Sequence, residues 1–426
     1  MYKLSRYNFI KETERYGIVV YNTFTGAFIT LSSEEYKKLK NFNNYDASDK
    51  DIKDWINLGL ILKIEIDEKQ IVESARFKNT FSKNGAIYRI FTTTSCNAKC
   101  FYCYEEGLEL TTMEKEDSDI ISTFIIKNSK DKKYIVLNWF GGEPLLNPDS
   151  ITRITQKVTE GLRDSNVKII SSIITNGSLF TDELIDLAKN SWKINQIQIS
   201  LDGIGEIHNK RKKYNNIEDP FNKTISIIEK LLANNLYVTL RLNYDKENFN
   251  NIEKLIYYIK KTFGVNKFLS CYAYPLFNND NCSNENFVNK DQTERYVNIL
   301  ENLLKDCGYL DYNYLPKRKK NSCFATDPNS FVIDPKGNLY KCSMVMRDKS
   351  NCLGNVNQDI ELSDKIVKWC NPSLPLECNE CVILPLCQGG CRASRILNNE
   401  QNYCIVKKTK LDFAMENFSD ILSVKK

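Results

Sequence analysis

The chain has 426 residues, more than one ordinary hydrophobic core holds, so two or three domains are expected. Hydrophobic residues make up 42% and charged residues 27%, which describes a soluble globular protein, and no apolar stretch is long enough to span a bilayer. The formal charge of +5 is weak grounds for a nucleic-acid partner, fifteen cysteines without an apolar export segment argue for metal in a cytoplasmic protein, and one histidine, His208, is too few for a zinc hydrolase or a histidine-based triad.

Residues 1–75 read as a small α+β unit. It has β-rich runs at 16–21 and 27–31, a helix N-capped by Ser32 with Glu35 in the capping-box position, a second helix over 48–58 and a strand over 61–66. From about 85 to 310, strands and helices alternate. Strands are expected at 86–93, 134–140, 168–175, 196–201, 237–242 and 267–274, with helical patterns such as 150–162, 221–232 and 251–262 between them. This alternation argues for parallel strands with crossover helices, and barrels of that build carry their chemistry at the strand C-terminal ends. The first strand leads into Cys96, Cys100 and Cys103, a CxxxCxxC run. Three thiolates on one short loop can hold three irons of a [4Fe-4S] cube and leave the fourth open to a small molecule, whereas zinc sites usually show paired CxxC knuckles. Gly141-Gly142-Glu143-Pro144 follows the second strand, Thr175-Asn176-Gly177 the third and Ser200-Leu201-Asp202-Gly203 the fourth, while Arg241 and Asn243 end the fifth. His208 reads as a loop residue, with a ligand contact as the other reading. Two basic runs, 210–213 and 317–320, read as solvated faces, with attraction of an acidic peptide as the alternative.

From about 311 the composition changes. Cys323 is followed by Gly337 and Cys342 in a GxxxxC element, then by Cys378, Cys381, Cys387 and Cys391 in a CxxCxxxxxCxxxC array, and finally by Cys404. Cys352 and Cys370 are left over, and a buried free thiol is the default for such residues.

The cysteine run, with Tyr102 before its third cysteine, and the GGEP motif at 141–144 resemble the signature of the radical S-adenosylmethionine (SAM) superfamily; the C-terminal cysteines resemble its seven-cysteine SPASM domain. The resemblance implies an α/β fold: a partial (β/α)6 TIM-like barrel at 76–310 and a cysteine-rich SPASM domain at 311–426. For residues 1–75 it implies a small winged-helix-like α+β domain that pairs an extended leader peptide with a sheet edge. It also implies three [4Fe-4S] clusters. One sits on Cys96, Cys100 and Cys103 and chelates SAM, a distal auxiliary cluster sits on Cys378, Cys381, Cys387 and Cys404, and a nearer one on Cys323, Cys342 and Cys391. Gly141, Gly142, Glu143 and Pro144 would meet the SAM amino group, Ser200 its ribose or carboxylate, and Arg241 and Asn243 its carboxylate or ribose. Asn176 and Asp202 complete the cofactor-binding set, Asp202 on the substrate side.

Two departures from the family pattern matter. No cysteine stands just before Cys323, where some members have one, so the nearer cluster keeps an open iron or recruits Cys307, Cys282 or Cys271. Ser343 stands where sulfatase-maturating relatives carry an aspartate base, which weakens a formylglycine-forming reading. The resemblance therefore implies a peptide-modifying radical SAM/SPASM oxidoreductase. It would cleave SAM to a 5′-deoxyadenosyl radical, take hydrogen from a ribosomally made precursor peptide with a leader, and install a crosslink, preferentially a thioether. A carbon–carbon crosslink and protein modification of the sulfatase-maturating type are the alternatives. The expected partners are that peptide and a reductant such as flavodoxin or ferredoxin, with no nucleic acid and no membrane.

Overall fold

The computed structural model describes residues 1–278, 283–309, 315–371, 373–397 and 402–423. The chain opens with β1 (Tyr2–Leu4) and an antiparallel sheet of β2 (Asn8–Thr13), β3 (Gly17–Asn22) and β4 (Phe28–Leu31). Then come α1 (Ser33–Lys40), α2 (Lys50–Asn57), β5 (Ile61–Lys63), which pairs back to β1, and α3 (Glu68–Thr80). Ser32 caps α1 as expected: its Oγ accepts from the Glu35 N–H at 3.1 Å, and the Glu35 carboxylate accepts the Ser32 N–H at 2.7 Å. The sequence reading has no counterpart for β1, β2 or α3. The expected boundary at 75 falls inside α3, and the one at 310 lies outside the described residues.

Side chains alternate across a strand, so the unbroken apolar run of β3 demands cover on both faces. Ile18 and Val20 pack with Leu39, Ile52 and Trp55 of the first two helices. Val19 and Tyr21 pack with Ile383, Leu386, Leu411 and Met415 from the far end of the chain.

The six expected barrel strands are present as β6 (Gly85–Phe91), β7 (Tyr134–Phe140), β8 (Lys168–Thr175), β9 (Ile194–Leu201), β10 (Val238–Tyr244) and β11 (Leu269–Pro275), all parallel and adjacent in chain order. Between them run α4 (Lys115–Lys127), α5 (Pro148–Gly161), α6 (Asp182–Asn190), α7 (Glu206–Lys212), α8 (Pro220–Ala233) and α9 (Phe249–Phe263), and α10 (Lys290–Asp306) follows. Ile135, Leu137 and Trp139 of β7 share one core with Ile121, Phe124, Ile154 and Val158 of α4 and α5. The alternate positions carry polar groups. Arg89 Nε donates to Asn138 Oδ1 at 2.8 Å, Asn138 Nδ2 to Ser172 Oγ at 2.9 Å, and Tyr272 OH to Gln198 Oε1 at 3.0 Å. A strand face of this kind suits a ligand cavity better than the apolar layers that fill a complete eight-stranded barrel.

The C-terminal segment then rejoins the barrel. β12 (Phe331–Ile333) adds in parallel to β6, and β13 (Leu339–Tyr340) pairs antiparallel beyond it, giving eight strands in the order β11-β10-β9-β8-β7-β6-β12-β13. Helices α11 (Asp364–Cys370), α12 (Leu384–Cys387), α13 (Arg392–Ile396), α14 (Asn402–Glu416) and α15 (Phe418–Ser423) follow. Among the described residues no helix is long and apolar enough to cross a membrane.

Candidate active site

The cysteine loop leaves the C-terminal end of β6 and is clamped from two sides by backbone bonds. Gly142 N–H donates to the Thr93 carbonyl at 3.1 Å and Glu143 N–H to that of Ser95 at 2.9 Å. On the other side Lys99 N–H donates to Lys212 O at 2.9 Å, and Asn215 N–H to Asn97 O at 2.8 Å. Glycine is needed at the first clamp. Gly141 has φ +130°, and a Cβ on Gly142 would stand 2.3 Å from the Ser95 oxygen. Gly142→Ala should therefore push the loop outward and lower the iron bound after anaerobic reconstitution by about four per chain, the content of one cube. Iron analysis checks this, with circular dichroism as the control for folding.

The loop brings Cys96, Cys100 and Cys103 together, near enough that a charge on one opposes a charge on the next. Burial pushes the Cys96 and Cys103 thiols up to about 12 and raises Cys100 as well, while the Lys212 ammonium pulls Cys100 back. Among the described residues no three His, Cys, Asp or Glu side chains converge as a single metal ion requires. A cube places each thiolate on a different iron, so its ligands ring a cluster-sized space, and three gathered soft donors fit that group.

The strand ends surround this loop. Glu143 is fully buried; its carboxylate accepts from Thr175 Oγ1 at 2.6 Å, Asn176 N–H at 2.8 Å and Leu145 N–H at 3.1 Å. Burial pushes this carboxyl up, and those donors pull it back. Three of its four acceptor positions are filled, which leaves one for an ammonium group. Pro144 starts the short helical turn Pro144–Leu146, and its carbonyl accepts from Thr92 Oγ1 at 3.1 Å. Asn176 Nδ2 donates to Asn97 Oδ1 at 2.7 Å, so it braces the cysteine loop. Ser200 Oγ accepts from Lys212 Nζ at 2.6 Å, and the same ammonium lies 3.9 Å from Asp202 Oδ1. Asn243 Nδ2 reaches both Asp202 Oδ1 at 3.2 Å and Tyr102 OH at 3.3 Å, and its own Oδ1 accepts from Arg241 Nε at 3.0 Å. The Arg241 guanidinium lies 4.2 Å from the centre of the Tyr274 ring. Asp202 Oδ2 is buried without a hydrogen-bond partner among the described residues.

The remaining cysteines form two groups. Cys378, Cys381, Cys387 and Cys404 lie within mutual electrostatic reach, and burial pushes Cys387 up to about 11. Cys323, Cys342 and Cys391 form the second group, where burial pushes Cys342 up to about 12. Gly337 (φ +79°) donates its N–H to the Asp334 carbonyl at 3.0 Å and turns the chain back toward Cys342. The second group also touches the cysteine loop: Tyr104 OH is 3.2 Å from Ser343 Oγ. Of the thiols considered as recruits to it, Cys271 and Cys307 are corrected: both are buried in the barrel core beside one another. Cys282 lies outside the described residues. Cys370 is buried in the apolar cluster against which Cys323, Cys342 and Cys391 pack, and Cys352 donates its S–H to Gly354 O at 3.3 Å.

Residues 90–259, which include the cysteine loop and the GGEP turn, match the family model described as the radical SAM superfamily. The chain carries a radical SAM domain. It is 23% identical over 361 residues to a cysteine-type anaerobic sulfatase-maturating enzyme of Clostridium perfringens, covering 77% of this chain and 96% of that one. Its fold is similar to that of native anSMEcpe with bound AdoMet and Cp18Cys peptide, with a TM-score of 0.61 and 20% identity over 80% of this chain and 99% of that one. It is also similar to Streptococcus suis SuiB bound to precursor peptide SuiA, with a TM-score of 0.54 and 14% identity over 92% of this chain and 95% of that one.

Two expectations for the radical SAM domain need correction. The basic run at 210–213 is not a solvated face throughout. Lys210 is exposed, but Arg211 and Lys212 are buried, and Arg211 pairs with Asp245 at 2.7 Å. Lys212, which meets Ser200 and Asp202 at the strand ends, is the candidate site residue that sequence reasoning missed. The available signal was its place four residues after His208, on the same face of a short helix. His208 is not a loop residue: it lies fully buried in α7, packs edge-on against Phe221, and accepts the Asp202 N–H at Nδ1 at 3.3 Å.

Burial, with a smaller push from Lys212, drives the His208 imidazole from 6.5 down to about 3. Between these values the unfolded chain binds one more proton than the folded one, so stability rises with pH. The contribution of neutral His208 is complete above pH 6.5 and should fall by about 1.4 kcal/mol per pH unit below it. Denaturant unfolding between about pH 5 and 6.5 should show this slope in the wild type and lose it in His208→Gln.

Proposed function

We propose that this protein is a peptide maturase that binds three [4Fe-4S] clusters and SAM and installs a crosslink, most directly a thioether, in a precursor peptide. One observation carries the reading: three half-buried thiols gathered on the CxxxCxxC loop, locked by the Gly142–Glu143 backbone at the C-terminal ends of parallel strands, with a three-cysteine group one side-chain contact away through Tyr104 and Ser343. A cluster with SAM on it supplies one-electron cleavage of the sulfonium and hence hydrogen abstraction. The chain's own residues hold and aim. The free acceptor position of Glu143 and the backbone of Gly141 and Gly142 receive the SAM ammonium, while Ser200 and Lys212 face its carboxylate, a charge-assisted pairing. Arg241 and Asn243 are assigned to the SAM carboxylate or ribose, and Asp202, hydrogen-bonded to Asn243, to the substrate side. A three-thiol group leaves room for a peptide thiolate as a fourth ligand, which favours the thioether over a carbon–carbon bond.

The sulfatase-maturating alternative has support in the Clostridium perfringens relative. One observation favours the precursor-peptide reading over it. Ser343 is already engaged with the Tyr104 hydroxyl. The N-terminal unit, with its separate sheet, is assigned to leader capture, and electrons would come from a carrier such as flavodoxin or ferredoxin in the cytoplasm.

The test is anaerobic reconstitution followed by incubation with SAM, dithionite and short peptides encoded beside the gene. About twelve irons per chain, formation of 5′-deoxyadenosine and a peptide lighter by two hydrogens are expected. Eight irons or fewer would remove the auxiliary assignment, and an unchanged peptide mass with every candidate would remove the maturase reading.

A further inference from the structure

The second basic run has no part in the site above. Arg318, Lys319 and Lys320 line a cavity of about 270 Å³ together with Ala75, Arg76 and Asn79 of α3 and Gln388. Four cations and no carboxylate face this space. Arg318 rests against the Phe24 ring at 4.2 Å, and Lys319 and Lys320 form no ion pair among the described residues. The positive field extends beyond the lining: burial, then the like charges of Lys319 and Lys410, push Lys407 down to about 8. Gln388 supplies a second, independent observation. It is 3% exposed, its Nε2 donates to Lys319 O at 3.0 Å and Pro385 O at 3.1 Å, and its Oε1 has no partner among the described residues. A buried acceptor left unpaired costs about 1–3 kcal/mol, so an incoming N–H is favoured there. The residue is also held at φ 56°, in the left-handed region, between Cys387 and Cys391.

We propose that this cavity binds an extended, acidic segment of the substrate peptide, its carboxylates on Arg318, Lys319, Lys320 and Arg76 and a backbone N–H on Gln388 Oε1. The inference rests on the peptide-maturase reading and adds the chemistry by which the peptide is recognised. The cavity favours a peptide over an acidic electron carrier for two reasons. Its volume takes a few side chains, whereas a folded carrier docks across a broad surface. Its orphan acceptor is satisfied by the backbone of an extended chain. It lies between the N-terminal helix α3 and the cysteine-rich domain, so a peptide held there is anchored beside the segment that joins the two auxiliary cysteine groups.

The probe is a fluorescein-labelled ten-residue peptide carrying four glutamates, compared by anisotropy with the same peptide carrying four glutamines, on the full-length reconstituted enzyme at low salt. The glutamate peptide should bind at least about tenfold more tightly, and Arg318→Glu combined with Lys320→Glu should remove about tenfold or more of that affinity. Lys320→Gln should show a smaller loss in the same direction, and Lys210→Glu, a surface charge change elsewhere, should bind the glutamate peptide as the wild type does. Equal binding of the two peptides, wild-type affinity in the double variant, or an equal loss in Lys210→Glu would overturn the proposal. So would cavity variants that slow reduction by reduced flavodoxin yet bind the peptide normally, since the surface would then belong to the carrier. Wild-type SAM cleavage measured in parallel reads the underlying function separately: cleavage without preference for the glutamate peptide sinks this inference alone.

Discussion

Replacing Cys100 with alanine is expected to end reductive SAM cleavage while leaving the fold intact. The loop is held by backbone bonds from Gly142, Glu143, Lys99 and Asn215, none of which uses a thiol, so the protein should remain folded. Two remaining cysteines cannot retain a cube that normally takes three or four thiolates. Iron should fall by about four per chain, and the signals of the two auxiliary clusters proposed above should persist in the reduced protein. The readout is 5′-deoxyadenosine formed under dithionite, with iron analysis and electron paramagnetic resonance in parallel. Cleavage above about one percent of the wild-type rate, less than 3 kcal/mol of lost transition-state stabilisation, would remove the loop from its assigned role.

The second large effect concerns Lys212. Its side chain is 4% exposed, and Asp202, 3.9 Å away, is fully buried. Burial opposes the Lys212 charge, and the anionic groups around it outweigh burial and keep the ammonium protonated. Lys212→Met keeps the aliphatic stem but strands the Asp202 carboxylate, which should cost about 3–5 kcal/mol of unfolding free energy. Adding Asp202→Asn should recover much of this loss, because the orphan charge disappears, and SAM affinity should stay low in both variants. Anaerobic denaturant unfolding of the four members of the cycle gives the coupling directly. Strict additivity of the two substitutions would show that the pair is not the cause.

What could be read in advance follows from how local the physics is. The CxxxCxxC loop and the GGEP turn stand out because their chemistry needs particular atoms at short spacing, and the Ser32–Glu35 cap because both partners sit in one turn of helix. The six barrel strands announce themselves through repeated apolar runs. Lys212 does not, because a lysine inside a basic run looks solvent-facing until the ends of β9 and α7 meet and close over it. Cys271 and Cys307 were indistinguishable from ligands by type, and only the packing of β11 against α10 shows them as core residues. The strand β2 and the helix α3 are mostly polar along their length, so neither has a period strong enough to separate it from a loop.

The junction of β6 with β12 has a dynamic corollary. Parallel strands in register sit about 4.8 Å apart and cannot slide without breaking a ladder. The cysteine loop leaves one of these strands, and Cys342 follows β13, hydrogen-bonded to the other. The cysteine loop and the Cys342 segment are thereby riveted to a common plate rather than hung on a hinge. On the proposed reading, electron tunnelling between clusters held on these two segments would run over a constant gap, so its rate should be indifferent to solvent viscosity.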